Sequence, residues 1–87
     1  MATMDTYRQQ AIALAHRFRL GLNTEAALDM VELLGALAGD FAPAEPQQQQ
    51  TLNAIMTLIL QCQERQDWLG LADYLEYELV QLLAAKA

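Results

Sequence analysis

The stretch Asp67–Leu83, DWLGLADYLEYELVQLL, decides the fold. At 3.6 residues per turn, Trp68, Leu71, Ala72, Leu75, Leu79 and Leu82 gather on one side. That stripe is wide enough to pack against a neighbouring helix. Leu69, Val80 and Leu83 form a second apolar strip beside it, interrupted by Glu76. Tyr74, Tyr77 and Gln81 fall on the outer side, flanked by Asp73 and Glu78. Asp67 is suited to cap this helix, which then begins at Trp68. Such a helix has a core face, an apolar shoulder and a tyrosine–carboxylate face, which is more apolar surface than one neighbour covers.

Working back from that helix, the same periodicity recurs and no strand-like alternation competes with it. The segment ERQD forms a short break before Trp68. Upstream of it, a helix from about Gln47 to Arg65 buries Leu52, Ile55, Met56, Ile59 and Cys62, with Leu58 and Leu60 off that face. Pro46 is tolerated in its first turn. Gly39 to Pro46 reads as a linker, because Pro43 and Pro46 each disfavour helix at the preceding residue. A helix from Asn23 or Thr24, either suited as N-cap, carries an apolar stripe of Ala27, Met30, Val31, Leu34, Leu37 and Ala38. Leu28 and Leu33 widen that stripe. The first helix spans about Asp5 to Leu20, with Tyr7, Ala11, Leu14 and Phe18 on one face. Asp5 at its start and His16, Arg17 and Arg19 at its end complement the helix dipole. Gly21 ends it. The expected fold is all-α: one domain over residues 1–87, a small antiparallel bundle of four helices, built as two helical hairpins joined by the proline-containing linker.

Composition sharpens the question of partners. Hydrophobic residues make up 54% of the 87-residue chain and charged residues 18%. Ordinary globular chains carry about 25% charge. A small domain has much surface for its volume and needs more polar cover, not less. The shortfall implies that apolar surface either stays exposed or is covered by another chain. The formal net charge is −6, and beyond residue 20 ten carboxylates face only Arg65 and Lys86. An acidic body repels phosphate, which argues against nucleic acid. A helix-turn-helix made of the first two helices would push Glu25, Asp29 and Glu32 toward the DNA backbone, the wrong sign.

Chemistry is scarce. The chain has no serine, one cysteine and one histidine. Cys62 lies on a predicted buried face, where a thiol is inert. His16 is accounted for by the end of its helix. A zinc site wants about four nitrogen or sulfur ligands. The Glu-x-x-His motif of carboxylate-bridged bundles is absent. The four glycines, Gly21, Gly35, Gly39 and Gly70, make no phosphate loop. No catalytic, cofactor-binding or metal-ligating residue is expected, and the chain does not read as an enzyme. A lone cysteine permits no internal disulfide and suits a reducing cytoplasm. The opening residues do not form a signal peptide, since the run AIALA stops at His16 and Arg17. The longest apolar run, LNAIMTLIL, is far short of the ~20 residues that span a bilayer. The expectation is a cytoplasmic protein without a membrane partner.

The segment QDWLGLADYLEYELVQLL, residues 66–83, resembles the C-terminal helix of small bacterial all-α proteins, some of which accompany flagellar or secretion genes. The resemblance rests on leucines at helical spacing and on DYLEYEL. It implies an accessory or chaperone-like helical protein, with no catalytic residue to carry over. Together these features predict a non-enzymatic protein-interaction module, an acidic adaptor or chaperone-like protein that binds another protein or itself as a homodimer. Its expected interface is Leu69, Tyr74, Tyr77, Val80, Gln81 and Leu83, because tyrosine covers contact area at low entropic cost. The alternative is a small ligand-binding or regulatory domain with a pocket between the helix pairs.

Overall fold

A computed structural model describes residues 3–41 and 46–86. The described residues form four helices and no strand. Helix α1 spans Met4–Arg19, α2 Asn23–Asp40 and α3 Pro46–Glu64. Helix α4 is α-helical over Trp68–Asp73, passes through a π-helical turn at Tyr74–Leu79, and resumes as α-helix over Val80–Lys86. Helix α1 packs against α2 and along the length of α4, and α3 packs against α4. A single buried cluster draws on all four helices.

The ends of α1 and α3 are built alike. At the end of α1, Gly21 adopts φ 82°. Its N–H donates to the Phe18 carbonyl at 3.1 Å, and the Leu22 N–H donates to the Arg17 carbonyl at 3.0 Å. At the end of α3, Gln66 adopts φ 57°. Its N–H donates to the Gln63 carbonyl at 3.0 Å, and the Asp67 N–H to the Cys62 carbonyl at 2.8 Å. Both are Schellman endings, in which a left-handed residue lets two backbone donors satisfy orphaned carbonyls. Glycine takes that conformation freely, whereas a residue with a Cβ is strained in it.

The two turns then start their next helices differently. Asp67 caps α4 as expected, its side chain accepting from the Gly70 N–H at 3.1 Å. Helix α2 has no side-chain cap, contrary to the expectation for Asn23 or Thr24. The reason is the tightness of the turn: Leu22 closes α1 and is already the N-cap of α2, so Asn23 is inside the helix.

The buried faces of α1 and α3 match their sequence stripes, except that Met56 is only partly buried. Helix α2 differs. Ala26, Met30, Leu33, Leu34 and Leu37 are buried, while Val31 is 56% and Leu28 66% exposed. Ala27 is half-buried and Ala38 exposed. Ala26, Met30, Leu33 and Leu37 are themselves spaced four, three and four apart, so α2 offered two overlapping stripes. Packing on α1 selected this one. The expected linker also begins later, since Gly39 and Asp40 are helical and Phe41 is buried. Burying a phenylalanine contributes about 2 kcal/mol, enough to hold this end of α2 to the core. The remainder of the linker, with Pro43, lies outside the described residues, and so does any hinge there.

In α4 the correction concerns register. The sequence places Leu82 in the core and Leu83 on the shoulder. In the fold Leu83 is fully buried and Leu82 half-buried. A π turn closes i→i+5 bonds and takes up an extra residue. One added residue rotates everything after it by about 100°. The core series therefore continues Leu71, Leu75, Leu79, Leu83 at uniform spacings of four.

Candidate interaction surface

The residues expected at the interface do not form one exposed face. Leu69 and Tyr77 are exposed at 66% and 55%, and Gln81 is exposed. Tyr74 and Val80 are partly buried and pack against the core. Leu83 is wholly inside it and offers no surface on this chain. Leu69 and Tyr77 are eight positions apart on one helix, about 12 Å along its axis.

A comparable apolar exposure lies on α2. Leu28, Val31 and Ala27 line an open groove of about 320 Å³ together with Asn23, Thr24, Gln63 and Trp68. The groove runs between the outer side of α2 and the end of α3 with the first residue of α4. Trp68 is held from below by Phe18, their rings stacked with centroids 5.6 Å apart and planes 8° apart. Such a stacked pair adds about 1 kcal/mol beyond its buried area, so the indole is fixed in place before any partner arrives. Asn23 lines the groove too, and its side-chain oxygen is buried without a hydrogen-bond partner. Beyond Gln63, a second shallow depression continues to Leu60, which is 48% exposed, and Glu64. One signal for this surface was legible in the chain, the width of apolar positions on α2. It could not say which half would be covered.

Charge is arranged so that the cations of α1 are matched within the fold. Arg17 pairs with Asp29 of α2 at 2.6 Å. Arg19 reaches α4 with both terminal nitrogens, 2.9 Å from Asp73 and 2.7 Å from Glu76. The hydrogen bond to Asp73, then that to Glu76 and the two negative charges, raise the Arg19 pKa further above its ordinary range, against a smaller opposing effect of burial. His16 Nε2 stands 3.7 Å from the same Glu76. Arg8 pairs with Asp5 one turn away. The Tyr7 hydroxyl donates to the Asp40 carboxylate, which ties the end of α2 to the start of α1. That hydrogen bond, burial and the Asp40 charge raise the Tyr7 pKa above 10.0.

Between α1 and α2, a second groove of about 460 Å³ is lined by Tyr7, Leu14, Arg17, Asp29, Glu32 and Leu33, among others. Cys62 is a buried free thiol on α3, while His16 is exposed on α1. Among the described residues, no group of three or more His, Cys, Asp or Glu could hold a metal ion. No described helix is long and apolar enough to cross a membrane.

Comparison with protein-family models, curated proteins and solved structures found no match to this chain. The resemblance seen in residues 66–83 rests on those residues alone.

Proposed function

We propose that this chain is a non-enzymatic protein-interaction module, an acidic helical adaptor or chaperone-like accessory protein, which docks a helix of another chain or a second copy of itself. One observation carries it: Leu28 and Val31 stand 66% and 56% exposed beside a half-buried tryptophan in a single open groove. Contiguous apolar exposure rimmed by polar residues marks a contact surface, and a preplaced aromatic is the usual anchor within one. The accessory role implied by residues 66–83 agrees with this. An antiparallel arrangement as two helical hairpins would present α2 and α3 on either side of the groove.

Light scattering after size-exclusion chromatography, across a wide concentration range, combined with binding of the dye ANS, tests the function. Self-association or dye binding that is lost in Leu28→Asp supports it. A concentration-independent monomer that binds no dye removes it.

The second reading, a small ligand-binding domain, is favoured by the groove between α1 and α2, whose size falls in the range of ligand pockets of about 300–1,000 Å³. Native mass spectrometry of the purified protein would detect a retained small molecule there, and a mass equal to the bare chain would remove that function.

A further inference from the structure

The groove on α2 is lined by uncharged residues, and the charge at its margin selects among its occupants. From Leu20 to Glu64 the sequence holds Glu25, Asp29, Glu32, Asp40, Glu45 and Glu64 and no lysine, arginine or histidine. Helices α2 and α3 therefore carry no cation of their own. Asp29, matched by Arg17 from α1, and Glu32 both line the opposite groove, and Glu32 stands on the ridge between that groove and Leu28. Glu25 lies three residues before Leu28 and Glu32 four residues after it, so both flank Leu28 on the outer side of α2. Glu64 lies at the other margin, beside Leu60 and Gln63. The apolar strip is thus bordered by carboxylates on its α2 side, while at its other margin Glu64 is followed by the exposed Arg65.

We infer that the occupant of this groove is a basic amphipathic helix of another protein, with an apolar stripe seated on Ala27, Leu28, Val31 and Trp68 and lysines or arginines along the flank that faces Glu25 and Glu32. The inference rests on the interaction-module function proposed above and names its partner. A helix laid in a groove is recognised by apolar anchors at i, i+3, i+4 and i+7. Flanking cations would then meet Glu25 and Glu32 on the α2 side. A second copy of this chain is a poor fit. A two-fold contact presents the same patch from both subunits, and would bring these carboxylates against their own copies, which like-charge repulsion opposes.

Trp68 is the only tryptophan, so its fluorescence reports on the groove directly. Three synthetic peptides of equal length are titrated into the full chain: an amphipathic leucine–lysine helix, the same helix with glutamate for lysine, and a leucine–lysine peptide with its order scrambled to destroy the stripe. The expected result is a blue shift of Trp68 emission with the first peptide, at an affinity at least about tenfold above either control. That affinity falls as salt is raised. The variant Leu28→Asp, exposed and unchanged in circular dichroism, loses the binding. Glu25→Gln with Glu32→Gln weakens it while leaving the apolar surface intact.

Equal binding of the lysine and glutamate helices overturns the basic partner but leaves the interaction module standing. Equal binding of the scrambled peptide overturns it as well, since charge alone would then suffice. A dimer that Leu28→Asp dissociates gives the groove to a second copy. Binding of neither helix, together with a monomer that takes up no dye, removes both the partner and the module.

Discussion

Helices α2 and α4 are both rich in leucine and both wider in apolar surface than one neighbour covers, yet they end differently. Helix α4 is held between α1 and α3, and part of its surplus goes inside while Leu69 and Tyr77 stay exposed. The π turn at Tyr74–Leu79 rotates its last turns so that Leu83 joins the core. Helix α2 packs mainly on α1, and Leu28 and Val31 stay in solvent. Composition is similar in the two; the number of neighbours is not. Surplus apolar surface becomes core where a second helix lies alongside and stays in solvent where none does.

The largest effect is expected at Leu75, which α4 buries completely. Leu75→Asp places an unpaired charge in the core and is expected to cost at least about 3 kcal/mol, read as loss of cooperative thermal unfolding. A folded Leu75→Asp variant would show that α4 is not the enclosed helix described. On α2 the matching substitution Leu28→Asp is expected to change stability by no more than about 0.5 kcal/mol, as for exposed positions generally. A large loss there would mean that α2 is covered too.

The anchoring of the two helices gives smaller effects. Gln66 occupies a left-handed position that Gly21 occupies in the equivalent turn. Gln66→Gly relieves that strain and is expected to stabilise by up to about 1 kcal/mol, offset in part by the freedom glycine has when unfolded. Urea denaturation would read the gain, and a loss would mean that the glutamine side chain contributes contacts of its own. At the far end of α2, Tyr7 is kept protonated by Asp40, burial and the Asp40 charge. The folded pKa is raised, so its contribution is fully present below about pH 10. It is lost as pH climbs above that value, when the unfolded chain ionises first. Stability should therefore fall with pH in the alkaline range, and less steeply in Tyr7→Phe; identical slopes would dissociate Tyr7 from the effect. The smallest change is expected from Tyr77→Ala, at most about 0.5 kcal/mol, since Tyr77 is 55% exposed. If Tyr77→Ala melts the protein, the outer side of α4 is not outer.

How much of this was legible depends on how ambiguous each helix was. The face of α1 was unambiguous, since Tyr7, Ala11, Leu14 and Phe18 stand among glutamines and arginines. Asp67 was equally plain as a cap, being an N-cap residue directly before an apolar run. Helix α2 was ambiguous because Ala26–Leu37 and Ala27–Ala38 make nearly equal stripes, and only the position of α1 chose between them. The interface expected on α4 assumed an unbroken α-helical period, which the π turn violates. No local residue pattern announced that turn. The groove on α2 was invisible for a different reason: Leu28, Val31, Gln63 and Trp68 are separated by up to forty positions and meet only after folding.

The sequence by itself determined the helical class, because a 3.6-residue period and capping chemistry are local and leave no strand pattern to compete. It also determined the absence of cations between Leu20 and Glu64, which no fold can alter. Tertiary structure alone decided which apolar positions are buried, the register at the end of α4 and the place of the groove. Burial depends on what stands opposite a residue, and that is set by the packing of distant segments rather than by the residue's neighbours in the chain.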